Sequence, residues 1–195
     1  MTKELETQLE NTFLKLELEP RNIELFIEYI NTLRKWNRKI NLISKKENDI
    51  VNSLIAPSLL FFKVTEGLSC SSVVDLGSGA GFPGFVIKIY EPDIKMVMIE
   101  KNSKKCAFLN YVNTILQLES QIISESLFDI TSSKIEAADI VTVRGVRLTK
   151  GIIEEIKRKT KSKRLIYFTS QSIHLPLVLE KQMELNYVVS KMYKL

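Results

Sequence analysis

The chain has 195 residues, of which 45% are hydrophobic and 26% charged, with seven Gly and five Pro. This excludes a disordered, collagen-like or low-complexity chain and leaves room for one substantial core with a small helical part attached. The net charge is +5, and residues 1–70 balance ten basic against ten acidic side chains, so the excess lies entirely beyond them; such an imbalance favours a polyanionic partner without identifying one.

In chain order, residues 3–18 read as a helix and Pro20 restarts the chain. Ile23, Phe26, Ile27, Ile30, Leu33 and Trp36 then recur at three- and four-residue steps, one apolar face of a second helix. A third helix is expected over 49–64, bent or restarted at Pro57 and ended by Gly67. From residue 72 the texture changes to short apolar runs at 72–76, 95–99, 121–124, 139–143, 164–169 and 187–193, most of them separated by helical segments. Strands alternating with helices imply a doubly wound, largely parallel sheet. The expected organisation is a helical subdomain over 1–68 and an α/β domain over 69–195.

Several classes drop out. The longest apolar stretch, 54–64, is interrupted by Pro57, Ser58 and Lys63 and is too short to span a bilayer. The first residues form no apolar signal core, so a cytoplasmic protein with no membrane partner is expected. Cys70 and Cys106 form no CxxC pair and read as reduced thiols. His174 is the single histidine and reads as a helix-start or surface residue, so neither a zinc site nor a histidine triad is expected, and no metal.

The informative segment runs from Val73 to Gly84, VVDLGSGAGFPG. A buried strand enters a glycine turn and then a helix that Pro83 can start. Glycines allow a ligand close to the backbone, and the helix start offers free N–H groups. No GK[ST] follows, which excludes a phosphate-cradling P-loop. Residues 79–84 spell GxGxxG, but Gly77 closes the strand, and counting from it puts Phe82 where a dinucleotide site needs its third glycine. Asp75-x-Gly77-x-Gly79-x-Gly81 instead resembles the cofactor loop of class I S-adenosylmethionine methyltransferases. Glu100 ends the second strand, about where an acid grips ribose hydroxyls. The competing reading is a strand–helix turn rich in Gly for packing alone.

Here the sequence resembles the guanine-N7 methyltransferase G family of 16S rRNA, GidB. Trp36-Asn37-x-x-x-Asn41-Leu42-x-Ser44 is similar to that family's N-terminal signature, and residues 75–84 match its cofactor loop almost residue for residue. Glu100 with Lys104, Lys105, Phe108 and Leu109 is similar to its second-strand segment, and 139–144 and 164–168 to its fourth and fifth strands. The resemblance spans about residues 25–193 and implies a Rossmann-like class I fold, S-adenosylmethionine as cofactor, and 16S rRNA or the small ribosomal subunit as partner. By position it implies cofactor contacts at Asp75, Gly77, Ser78, Gly79, Phe82 and Glu100, an adenine site flanked by Ser126 and Leu127, and Arg144 at the mouth as a cofactor or catalytic residue. Lys35, Arg38, Lys39 and Arg147 are the implied RNA contacts, with Lys101, Lys104 and Lys105 also well placed. Trp36, Asn37 and Asn41 read equally as RNA contacts or as packing and capping.

The departures are specific. A His-x-x-Asp-Ser run in the third helix stands here as Leu54-Ile55-Ala56-Pro57-Ser58. Glu125 replaces an arginine after the third strand, Val143 a serine before Arg144, and Thr169-Ser170 a Lys-Gly pair. These losses predict weak turnover and keep two alternatives in view: a member that binds cofactor or RNA without robust catalysis, and a methyltransferase for a small molecule or protein. The basic run 157–164 precedes the fifth strand and reads as a solvated face. With only one apolar run after residue 169, a six-stranded sheet is expected, closed by the terminal run against the fifth strand or else left with a frayed edge, in a monomer whose exposed edge invites self-association.

Overall fold

The computed structural model describes residues 2–44, 49–170, 175–185 and 188–195; His174 therefore lies outside the described residues. Helix α1 (Thr2–Lys15) buries Leu5, Leu9 and Phe13, one residue per turn. Helix α2 (Ile23–Asn37) buries Phe26, Ile27, Tyr29, Ile30 and Leu33. A π-helical turn, Val51–Ile55, runs into α3 (Ala56–Val64) without a break; Pro57 has no N–H to give to the preceding turn, where Arg144 donates to Ser53 O instead.

The strands are β1 (Ser72–Leu76), β2 (Lys95–Ile99), β3 (Gln121–Ile123), β4 (Ile140–Arg144), β5 (Arg164–Thr169), β6 (Val178–Leu185) and β7 (Val188–Lys194). Between them lie α4 (Gly84–Tyr90), α5 (Ser103–Ile115) and α6 (Lys150–Thr160). The sheet order is β3-β2-β1-β4-β5-β7-β6, parallel from β3 to β5 and antiparallel on both sides of β7. Side chains alternate between two cores along the central strands. Val73, Met96, Met98, Ile140, Ile166 and Phe168 face the cluster shared with α1–α5, whereas Val74, Val141, Val143, Leu165 and Tyr167 face the cluster containing Ile156 of α6. The first cluster runs from Leu5 to Met192 and crosses the expected boundary at residue 68 without a break.

The expectation of six strands is wrong. The terminal run does pair with β5, but as an inserted antiparallel strand, and β6 lies outside it. VLEKQMEL was missed because Leu, Glu, Lys, Gln and Met are helix formers. Seven residue pairs with β7, from Val178↔Lys194 to Leu185↔Val188, outweigh that local preference.

Candidate cofactor cavity

The carboxyl ends of β1, β2 and β4 open on a cavity of about 420 Å³. Its first wall is the glycine turn. Gly77, Gly79 and Gly81 all have positive φ (73°, 58° and 95°), a region that side-chain-bearing residues rarely enter. Gly77 N and Ser78 N donate to Ile99 O at 2.8 and 3.2 Å, locking the turn to the end of β2. A Cβ on Gly77 would stand 2.4 Å from Val146 Cγ2, whereas one on Gly79 would meet nothing nearer than Gly77 O at 3.8 Å. The loop is thus closed behind Gly77 and open at Gly79.

Glu100 completes this wall. Its carboxylate accepts from Gly79 N at 3.0 Å and from Asn102 N at 2.8 Å. The Asn102 side chain in turn caps α5, accepting from Lys104 N and Lys105 N. The acid is therefore fixed at the cavity while its remaining lone pairs can accept from ligand hydroxyls.

Asp75 departs from expectation. It is fully buried and does not line the cavity. Its carboxylate accepts from Thr142 Oγ1 at 2.8 Å and from Gly84 N at 3.3 Å, joining β1, β4 and the start of α4. Burial pushes the carboxyl up to about 6, while donors from Thr142, Ser78 and Gly84 and the charge of Arg144 pull it back only in part. The alternation of a strand explains the miss: an acid two residues before the turn shares the face of Val73 and points at the start of α4 rather than out of the strand's end.

Of the other expected cofactor residues, Gly77, Ser78, Gly79, Phe82, Glu100, Ser126, Leu127 and Arg144 all line the cavity. Leu76, Ile99, Phe128, Val146 and Ile152 give it an apolar side suited to a flat ring. Arg144 ends β4, and its guanidinium donates to Ser53 O (2.8 Å), Leu54 O (3.2 Å) and Ser58 Oγ (3.3 Å). It ties the π-helical turn to the sheet at the edge of the cavity.

Among the expected RNA contacts, Arg38 and Lys39 are exposed just after α2, and Arg147 is exposed in the loop after β4. Lys101 and Lys105 line the cavity, and Lys104 is exposed. Lys35 stands apart, on a separate groove with Glu24, Glu28, Asn31 and Tyr111. Trp36 packs at 5.6 Å from Phe108 and 5.3 Å from Tyr111, and Asn37 Oδ1 accepts from Leu42 N and Ile43 N. Both thus act in packing and capping, and Asn37 holds two residues that line the cavity.

In the run 157–164 the solvated reading fails at Lys159, Thr160 and Ser162, all buried, and Lys159 is the charged one among them. Lys159 is 2% exposed; its Nζ donates to Leu127 O (2.5 Å) and Phe128 O (2.8 Å) and pairs with Glu155 at 3.2 Å. It holds the segment that forms the cavity's second wall. Tyr29, also unforeseen, donates to Ala80 O at 2.5 Å. The helical spacing of each residue marks it as inward-facing, but neither spacing names its partner.

Cys70 and Cys106 are free, and among the described residues there is no group of three or more His, Cys, Asp and Glu able to hold a metal. No described helix is long and apolar enough to cross a membrane.

The strand order, the antiparallel β7 and a glycine turn facing an acid just after β2 define a class I methyltransferase fold. Solved structures share it: a SAM-dependent methyltransferase from Aquifex aeolicus (TM-score 0.57, 13% identity, 75% of this chain and 92% of that one), and a precorrin-6y C5,15-methyltransferase from Geobacter metallireducens (TM-score 0.56, 14% identity, 80% and 91%). The family rRNA small subunit methyltransferase G, GidB, matches residues 22–194, and the chain belongs to it. Proteins named ribosomal RNA small subunit methyltransferase G are 33% identical over 134 residues in Roseiflexus sp. and 34% over 143 in Roseiflexus castenholzii, covering 67% and 71% of this chain. In Dictyoglomus thermophilum the identity is 39% over 106 residues, 54% of this chain. The chain spans 57%, 61% and 44% of those relatives' own lengths.

Proposed function

We propose that the chain binds S-adenosylmethionine in this cavity and methylates guanine N7 of 16S rRNA in the small ribosomal subunit, in the cytoplasm. One observation carries the cofactor reading: Glu100 is clamped by the N–H of Gly79 at the point where the loop is open to a ligand. When bound, the cofactor supplies an electrophilic methyl on a sulfonium. Glu100 would accept from ribose hydroxyls, Gly77 and Phe82 would border the ligand, and Ser126 and Leu127 would flank its adenine.

The acceptor nitrogen carries a free lone pair, so no side chain has to remove a proton, and the chain's work is positioning. Arg38, Lys39, Lys101, Lys105 and Arg147 would engage RNA phosphates, while Arg144 fixes the mouth. In this reading the division at residue 68 is functional, with helices toward RNA and sheet toward cofactor, although the core is shared. A monomer is supported by the outer strand β6, whose irregularity between Leu179 and Lys181 and exposed Glu184 discourage edge pairing.

Calorimetry should show binding of S-adenosylhomocysteine and none of NADH; the opposite preference would sink the cofactor reading. Purified protein given labelled cofactor and unmethylated small subunits should transfer methyl to one guanine, mapped by its base-specific cleavage. RNA affinity should fall steeply with salt, and less steeply after Arg38→Glu with Lys39→Glu. A second reading, cofactor binding without robust transfer, is favoured by the engagement of Arg144 with Ser53, Leu54 and Ser58. Cofactor binding with no transfer to any small-subunit preparation would select it.

A further inference from the structure

The wall formed by the glycine loop is supported from outside the α/β domain. Tyr29, at the middle of α2, is fully buried and donates to Ala80 O at 2.5 Å. Ala80 is itself buried, between the Ser78 carbonyl, which accepts from Gly81 N and Phe82 N, and the start of α4. Its own carbonyl points away from those turns and finds the phenol. The Tyr29 ring lies 5.4 Å from the ring of Phe82, which lines the cavity, and meets Phe85 edge-on at 5.8 Å. A Cβ on Gly81 would sit 2.9 Å from the Tyr29 oxygen, so helix and loop are in contact with no space between them. Asn22, just before α2, donates to Ile89 O and fixes the same helix to α4. Asn37, at its other end, holds the backbone of Leu42 and Ile43, which also line the cavity.

We infer that Tyr29 is a positioning residue for the cofactor loop, and that α2 is therefore a structural part of the cofactor site as well as a helix beside the RNA-facing basic residues. The inference rests on the cofactor reading of the cavity. Its physical content is a single hydrogen bond. Removing the hydroxyl keeps the ring and its packing but leaves a buried loop carbonyl without a donor. The loop then relaxes, and the backbone that must meet the ligand loses its set position.

The test compares Tyr29→Phe with Phe26→Leu, a buried change on the same helix. S-adenosylhomocysteine affinity is measured by calorimetry, melting temperature by calorimetric scan, and amide exchange of residues 78–82 by mass spectrometry. Tyr29→Phe should weaken affinity about tenfold and speed exchange in the loop. Phe26→Leu should lower the melting temperature at least as much and leave both readings at the wild-type value. Unchanged affinity and exchange in Tyr29→Phe would overturn the inference, as would an equal loss of affinity in Phe26→Leu. Should the wild-type protein itself bind no S-adenosylhomocysteine, the cofactor reading falls, and the exchange of residues 78–82 alone then decides whether Tyr29 holds the loop.

Discussion

The two walls of the cavity are built in opposite ways. One comes mostly from a continuous stretch, β1 through the glycine turn into α4, completed by Glu100 after β2, and backbone conformation does most of its shaping. The other is gathered from β3, β4, α6 and the π-helical turn, and side chains reaching across the fold hold it: Lys159 on Leu127 and Phe128, Arg144 on Ser53 and Leu54. A wall made of backbone tolerates almost no added atoms, because positive φ and close approach leave nowhere to put them. A wall held by side chains yields in smaller steps, one contact at a time.

The contrast is sharpest at Gly81. An added Cβ would lie 2.4 Å from Phe85 Cδ2 and 2.9 Å from the Tyr29 oxygen, at a φ of 95°. Gly81→Ala should cost on the order of 3 kcal/mol or prevent folding. Denaturant melts read this directly, and a near-neutral result would show that the glycine wall is softer than its geometry implies.

Asp75 supports the same wall from inside, and pH reports on it. Its folded-state value of about 6 lies above the ordinary 3.8, so the folded chain holds this proton more tightly than the unfolded one. The stabilisation is full below about pH 4 and is lost as pH rises through about 6. The stability of wild type minus that of Asp75→Asn should therefore fall by about 3 kcal/mol across that window. Melts in matched buffers check it; a difference that stays flat between pH 4 and 7 would mean that the surrounding donors fully offset burial.

Lys159→Met probes the assembled wall. It keeps the stem but removes the donor to two carbonyls, at a cost of about 2 kcal/mol, and should weaken S-adenosylhomocysteine binding through the Leu127–Phe128 segment. Loss of stability with unchanged affinity would confine Lys159 to the fold. The smallest effect is expected at its neighbour Arg158, which meets Glu155 on the exposed side of the same helix. Arg158→Ala should leave melting temperature and affinity within measurement scatter. An effect matching that of Lys159→Met would erase the distinction between the buried lysine and the run around it.

How far the site could be read beforehand follows the same division. Gly77, Gly79 and Glu100 were legible because a glycine turn after a buried strand, with an acid at the end of the next, is a local pattern with a local cause; Phe82 entered only through the family resemblance. Asp75 was legible as important but misplaced, since whether it faces the ligand or the covered side of the sheet depends on Thr142 of the neighbouring strand and on the start of α4. Lys159 was hidden in a run of like residues: composition says solvated, helical spacing turns it inward, and only the packing of α6 against the turn after β3 supplies the carbonyls that hold its ammonium.

The amino-acid sequence by itself determined the alternation of strands and helices, the apolar faces of α1 and α2, and the glycine turn, because each depends on spacings within a few residues. Tertiary structure decided what spacing cannot encode. It made VLEKQMEL a strand by pairing it with β7, and sent the Tyr29 hydroxyl to Ala80, 51 residues away. It also committed Arg144 to carbonyls about 90 residues earlier in the chain. Such contacts form where the chain happens to return on itself, and the free energy of satisfying a buried donor or carbonyl there outweighs the local preferences that a linear reading can weigh.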